Sequence, residues 1–151
     1  MAEGEEKVLT KAELVSLRES YLSGMKLCSF GEFDKALGVF KNAYSVALSI
    51  GEGVLASIMI HCICYCYTNL ADPDSMISFC DCEKSRHDGE LEPGVFSFYY
   101  SIACLFKEQY EKAADIARNG IEFEQKSHDL RIVHPAYYYE IAYRAYSALG
   151  L

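Results

Sequence analysis

Pairs of small residues recur at nearly fixed distances along this chain, and they constrain its fold more than any other feature. Gly24 precedes Ala36 by 12 residues, Ser101 precedes Ala113 by 12, and Cys62 precedes Ser75 by 13. The later members of these pairs stand 39 and then 38 residues apart. Two antiparallel helices come close only where the side chains at their crossing are small. Bulky residues one turn away, such as Leu27, Phe40, Tyr65 and Phe79, would fill the space beside each crossing. The spacing therefore predicts helical hairpins laid down at a regular period, the mark of a repeat array.

Local signals agree with that period. Thr10-Lys11-Ala12-Glu13 forms a capping box, in which the Thr hydroxyl and the Glu carboxylate each satisfy an unpaired amide; a first helix is expected from there to about Ser29. Gly31 breaks it, and Phe33, Ala36, Leu37, Phe40, Ala43, Tyr44 and Ala47 mark one face of a second helix that runs to Ile50, before Gly51. A third is expected from about Val54 to Asn69. Only three prolines occur, at 73, 93 and 135, and proline suits the first helical turn because the amide it lacks is unpaired there anyway. They open a fourth helix reaching about Arg86, a fifth, and a seventh; a sixth spans about Tyr110 to Ser127. Residues 1–9 read as a flexible acidic tail and 10–151 as one helical domain without an internal linker.

The string Gly31-Glu32-Phe33-Asp34-Lys35-Ala36-Leu37, continued by Phe40 and Ala43 and preceded by Gly24, resembles the tetratricopeptide repeat (TPR) family. Ser101, Cys104, Tyr110, Ala113 and Ala117 repeat the pattern, and Cys62, Tyr65, Ser75, Phe79 and Cys82 hold the middle place. The resemblance covers roughly residues 14–127, at a period longer than is usual in the family. It implies an all-α, right-handed superhelical solenoid of antiparallel helix pairs, with about three repeats followed by a C-terminal helix. It also implies a non-enzymatic protein-interaction module or scaffold. In the repeat register, Tyr21, Met25, Met59, Ile63, Phe98, Ile102, Tyr139 and Tyr143 would face the concave side; a slip of one residue in the middle repeat would substitute Ile60 and Cys64. Family members that clamp acidic chaperone tails carry Lys, Arg and Asn on that face, and none stands at these positions. The partner expected is an apolar or amphipathic peptide or helix, for which aromatic and Met side chains are suited anchors. Self-association through the same aromatic surface is the alternative.

Composition narrows the remaining classes. Twenty-two acidic residues against 14 basic ones give a net charge of −8, with no basic patch to hold a phosphate backbone, so nucleic acid is not an expected partner. The acidic runs Glu3–Glu6 and Glu122–Glu124 read as solvated. The longest apolar run, Val54 to Cys66, is shorter than the roughly 20 residues that cross a bilayer. The opening MAEGEEKV is acidic where a secretory signal is basic and then apolar, which points to a cytosolic or nuclear address.

Seven cysteines sit inside apolar segments, unlike a spaced disulfide framework, and read as reduced thiols. Within His61-Cys62-Ile63-Cys64-Tyr65-Cys66, a helix places Cys62 and Cys66 on one face and Cys64 nearly opposite. Cys62 would then be a small crossing residue, and Cys66 would lie one turn later against the next repeat. With Cys80, Cys82 and His87 these residues could supply zinc ligands, but a C-x-C on a helix splays its sulfurs apart, so packed thiols are expected in place of a metal or redox module. No phosphate-cradling loop, G-x-S-x-G or H-E-x-x-H occurs; neither an enzyme nor a cofactor is expected. Finally, Tyr137, Tyr138, Ile141, Tyr143 and Tyr146 are more apolar rings than a lone terminal helix hides. Either a longer protein or a docking partner is expected to cover them.

Overall fold

The structure, a computed structural model, describes residues 2–86, 93–126 and 135–151. Among them it holds seven helices and no strand: α1 Ala2–Ser29, α2 Phe33–Ser49, α3 Gly53–Asn69, α4 Pro73–Arg86, α5 Pro93–Phe106, α6 Tyr110–Lys126 and α7 Pro135–Ala148. All three prolines occupy the first position of a helix, as their missing amide dictates. Asp72 caps α4, its carboxylate accepting the Ser75 amide at 3.1 Å. The largest departure from the sequence reading is α1, which begins at Ala2, ahead of the Thr10 capping box.

One turn is used again and again. After α1 the amide of Gly31 donates to the carbonyl of Cys28 at 3.0 Å, and that of Glu32 to Leu27 at 2.9 Å. Glu32 then accepts the first helical bond of α2, from Ala36. This is a Schellman ending, in which a residue of positive φ lets two otherwise unpaired carbonyls find donors. The same pair of bonds recurs after α2 around Gly51, after α3 around Ala71, after α5 around Glu108, and after α7 around Gly150. The five φ values lie between 52° and 78°. Because the last residue of each of these interhelical turns also starts the next helix, the chain passes from one helix to the next over three residues.

The chain forms two compact units, Met1–Cys66 and Tyr67–Leu151. In the first, α1 packs on α2 and the crossing is tight at Gly24. A Cβ there would stand 2.4 Å from Cε1 of Phe40, a ring that is itself fully buried. The α3 residues of this unit join through Tyr65, edge-to-face with Phe33 at 6.1 Å, and through Cys66, whose Sγ lies 3.9 Å from that of Cys28. Met59, Ile60, Ile63, Cys64 and Cys66 are all buried. Cys64, expected to point away from its two neighbours' surroundings, is therefore as sheltered as they are. Cys66 meets a cysteine of the preceding α1, where the sequence register had set it against the following repeat.

In the second unit α4 packs on α5, α5 on α6, and α6 on α7, which also touches α5. Its core joins Cys104, Ala113, Ala114 and Ala117 to Ile141, Ala142 and Ala145. Five of these seven side chains are alanine, which lets α6 lie close between its neighbours. Ser101 and Ala113, the small pair read from the sequence, are both fully buried. Lys107 ties the α5–α6 turn to Asp74 at the start of α4 over 2.8 Å.

Candidate functional site: an apolar cleft between α5 and α7

Two helical stripes face each other in the second unit. On α5 the stripe is Phe98, Ile102, Leu105 and Phe106; on α7 it is Tyr137, Glu140, Ile141, Arg144 and Ala148. Both follow the three-and-four spacing of one helix face. Between them, lined also by Thr68 and Tyr110, lies a cleft of about 510 Å³. Its volume falls within the range of small-ligand and peptide-anchor sites. Phe98 stands edge-to-face with Tyr99 at 5.0 Å and with Tyr137 at 6.0 Å, which restrains its ring. Ile141 is buried. Arg144 and Glu140, paired at 2.7 Å, supply the only charges among the lining residues. A second, more polar hollow of about 410 Å³ opens beside Glu108, Glu111, Lys112 and Leu149.

The eight residues read from the sequence meet different fates. Phe98 and Ile102 line the cleft. Tyr21 is half-buried and Met25 exposed on α1. Met59 and Ile63 are core residues, 2% and 0% exposed, and the alternative pair Ile60 and Cys64 is buried as well. Neither register of the middle helix offers a ligand any surface. Tyr139 and Tyr143 are 55% and 73% exposed, but each sits two positions beyond a cleft residue, roughly 200° around α7 and away from it.

The left-handed turn residues give a second way to compare positions between helices. Counting back ten and six positions from Glu108 gives Phe98 and Ile102, and from Gly31 gives Tyr21 and Met25. The same count from Ala71 gives His61 and Tyr65, and from Gly150 gives Glu140 and Arg144. None of these eight is a buried residue. Counted from the turns, the positions fall two residues from the sequence register in α3 and one from it in α7. Glu140 and Arg144 line the cleft and were not among the residues read from the sequence, because the aromatic run of α7 drew that register onto the face that carries Tyr139 and Tyr143.

The electrostatics of the remaining candidates are those of burial. His61 is pushed down to about 4 by desolvation and is neutral at physiological pH. Desolvation first, and then the neighbouring Cys28, pushes the thiols of Cys62 and Cys66 up to about 12. Burial also raises Cys104 against the pull of Lys112 and Lys107. Such thiols are protonated and poorly nucleophilic at neutral pH. Among the described residues no three His, Cys, Asp or Glu side chains are grouped to hold a metal ion; His87 lies outside them. No described helix is long and apolar enough to cross a membrane. Comparison with known protein families, curated proteins and solved structures finds no match to this chain.

Proposed function

We propose that the chain is a TPR-like, non-enzymatic interaction module whose helix pairs stack as a solenoid, and that the α5–α7 cleft receives an apolar stretch of an amphipathic peptide or helix. One observation carries this reading. The four positions that the turn-based register picks out on α5 and α7, Phe98, Ile102, Glu140 and Arg144, all line the same cleft. A wall of Phe98, Ile102, Leu105 and Tyr137 suits side chains spaced three and four apart on a bound helix. The Glu140–Arg144 pair at the rim suits its polar face, since rim charges fix register more than they add affinity. The five repeated Schellman turns and the close crossing at Gly24 favour a repeat architecture over an irregular bundle.

Selection of a displayed peptide library on the intact chain tests the proposal. Enriched sequences are expected to share an apolar i, i+3/i+4, i+7 pattern, and Phe98→Ala with Ile102→Ala is expected to weaken their binding at least about tenfold, the range of a hot-spot residue. Binding that ignores both substitutions, with helicity unchanged by circular dichroism, would place the contact elsewhere.

Self-association is favoured by a different observation, the exposure of Tyr139 and Tyr143 one turn apart on the outer face of α7. Sedimentation at tens of micromolar, roughly where weak interfaces populate, separates the two readings. A monomer there removes the second.

A further inference from the structure

The groups that the cleft leaves unused include a set of sulfurs in the first unit. Cys28 lies in the last turn of α1 and Cys66 in α3, 38 residues apart in sequence, with their Sγ atoms 3.9 Å apart and both side chains buried. Cys62 precedes Cys66 by one helical turn and interacts with Cys28 as well. A disulfide needs its sulfurs at about 2.05 Å, so closing the bond brings these two nearer by about 1.9 Å from their 3.9 Å separation. No such bond exists in the structure; all seven cysteines are thiols.

We propose that Cys28 and Cys66 form a dithiol site that is oxidised to a disulfide by low-molecular-weight disulfides of the glutathione class, clamping α1 to α3. In the first step one cysteine, as thiolate, attacks a sulfur of the small disulfide. The S–S bond breaks, one small thiol leaves with the electron pair and takes up the proton, and a mixed disulfide remains on the protein. In the second step the other cysteine, as thiolate, attacks the Sγ of the first cysteine within the mixed disulfide; the Cys–Cys bond forms, and the second small thiol leaves with the electron pair and takes up the proton. Two thiols are oxidised, one small disulfide is reduced to two thiols, and both protons end on the departing molecules. Geometry decides the pairing: Cys28 and Cys66 already touch across the helix interface, whereas neighbouring cysteines one turn apart on a single helix are held by its backbone. Burial decides the rate. A sulfur with almost no exposed surface meets an outside disulfide only when α1 lifts from α3, so the clamp closes through local opening and then holds the segment shut. The loop it would enclose, residues 28–66, is long enough for a large effect on the unfolded chain.

The test uses the intact chain with oxidised glutathione as the probe. After incubation, free thiols are alkylated in denaturant and the protein is digested without reductant. The expected product is one cross-linked peptide pair joining Cys28 to Cys66, with a thermal midpoint raised by roughly 5–10 °C and restored by dithiothreitol. Low, non-denaturing urea is expected to speed its formation at least about threefold, because opening limits the reaction. Cys82, the exposed thiol, reports that the probe has acted. Recovery of Cys28 and Cys66 as separately alkylated peptides, once Cys82 has been consumed, would overturn the proposal. So would cross-links that join either of them mainly to Cys62. Cys28→Ser adds an independent check, since it should abolish both the cross-link at Cys66 and the rise in midpoint; a rise that persists in this variant refutes the assignment.

Discussion

Both α3 and α7 carry long apolar and aromatic runs, yet the structure treats them in opposite ways. In α3 almost every side chain from Ala56 to Cys66 is sheltered, and Tyr65 alone in that stretch is an exposed ring. In α7 the buried residues among those described are Ile141, Ala142 and Ala145, and three tyrosines at 137, 139 and 143 stand more than half exposed; Tyr138 lies outside the described side chains. Residue size does not account for the difference. In α3 the large side chains Met59, Ile60 and Ile63 are buried as fully as Ala56 and Cys64, whereas α7 packs on α6 and α5 and leaves these three tyrosines exposed. Apolar content alone did not decide burial; the number of sides on which a helix finds neighbours did. An exposed aromatic surface on a well-packed helix is available for binding, and one that is buried on all sides serves stability.

The largest expected effect tests whether the first unit is held by its tightest crossing. Phe40→Ala removes a fully buried ring and is expected to cost about 3–5 kcal/mol in urea denaturation. Gly24→Ala forces a methyl against that ring, for about 1–3 kcal/mol. Because both act on one contact, the double variant should cost clearly less than the sum. Additive losses would mean that Gly24 is small for some other reason.

Acid should separate the two units next. His61 holds a pKa of about 4 in the folded chain against 6.5 when free. Above pH 6.5 neither state binds the proton, and the residue carries no penalty. As pH falls from 6.5 toward 4 the unfolded chain is protonated first, so stability declines, by about 2 kcal/mol at pH 5 and about 3 below pH 4. Hydrogen exchange at pH 7 and pH 5 should show the loss concentrated in Met1–Cys66, and His61→Leu should flatten the pH dependence there. An equal loss in His61→Leu would assign the acid sensitivity to other groups.

How much of this was legible in the sequence depended on which residues announce themselves. Helices α2 to α7 were readable to within a residue or so at the described ends, because proline and glycine mark them and the 3.6-residue period fills them in. The start of α1 was not, since a capping box fits Thr10 equally well whether or not helix precedes it. Phe98 and Ile102, read from the spacing of the third repeat, both line the cleft. Glu140 and Arg144, which line the same cleft, were not singled out because the register was carried by small residues, which also occur off the crossing, and not by the left-handed turn residue. At Ala71 and Glu108 that residue is not glycine, so nothing in the sequence set it apart.

Glu108, set beside Gly31, gives the next prediction. A side chain with φ near +55° pays a steric penalty that glycine avoids. Glu108→Gly, with φ of 59° and a side chain facing solvent, should raise stability by about 0.5–1 kcal/mol, and Gly31→Ala should lower it by about 1 kcal/mol. The pair sharpens the comparison of the units, because it asks whether one turn geometry has one energetic cost in both. A gain at Glu108 without a loss at Gly31 would show that the two turns are alike only in outline.

The smallest expected effect lies on the outer face of α7. Tyr143 is 73% exposed and belongs to neither the core nor the cleft, so Tyr143→Ser should leave the stability of the chain within about 0.5 kcal/mol of the original, as for other surface sites. Ile141→Ala, only two positions along the helix but buried, should cost about 2–4 kcal/mol. The contrast separates the faces of α7 more directly than either value alone. It also bears on self-association, because an interface formed through this face would tie its contribution to protein concentration. If Tyr143→Ser lowers the thermal midpoint at high concentration and not at low, the aromatic face is covered by a second copy. If it changes nothing at any concentration, α7 contributes through its inner stripe, where Ile141 anchors the core and Arg144 borders the cleft.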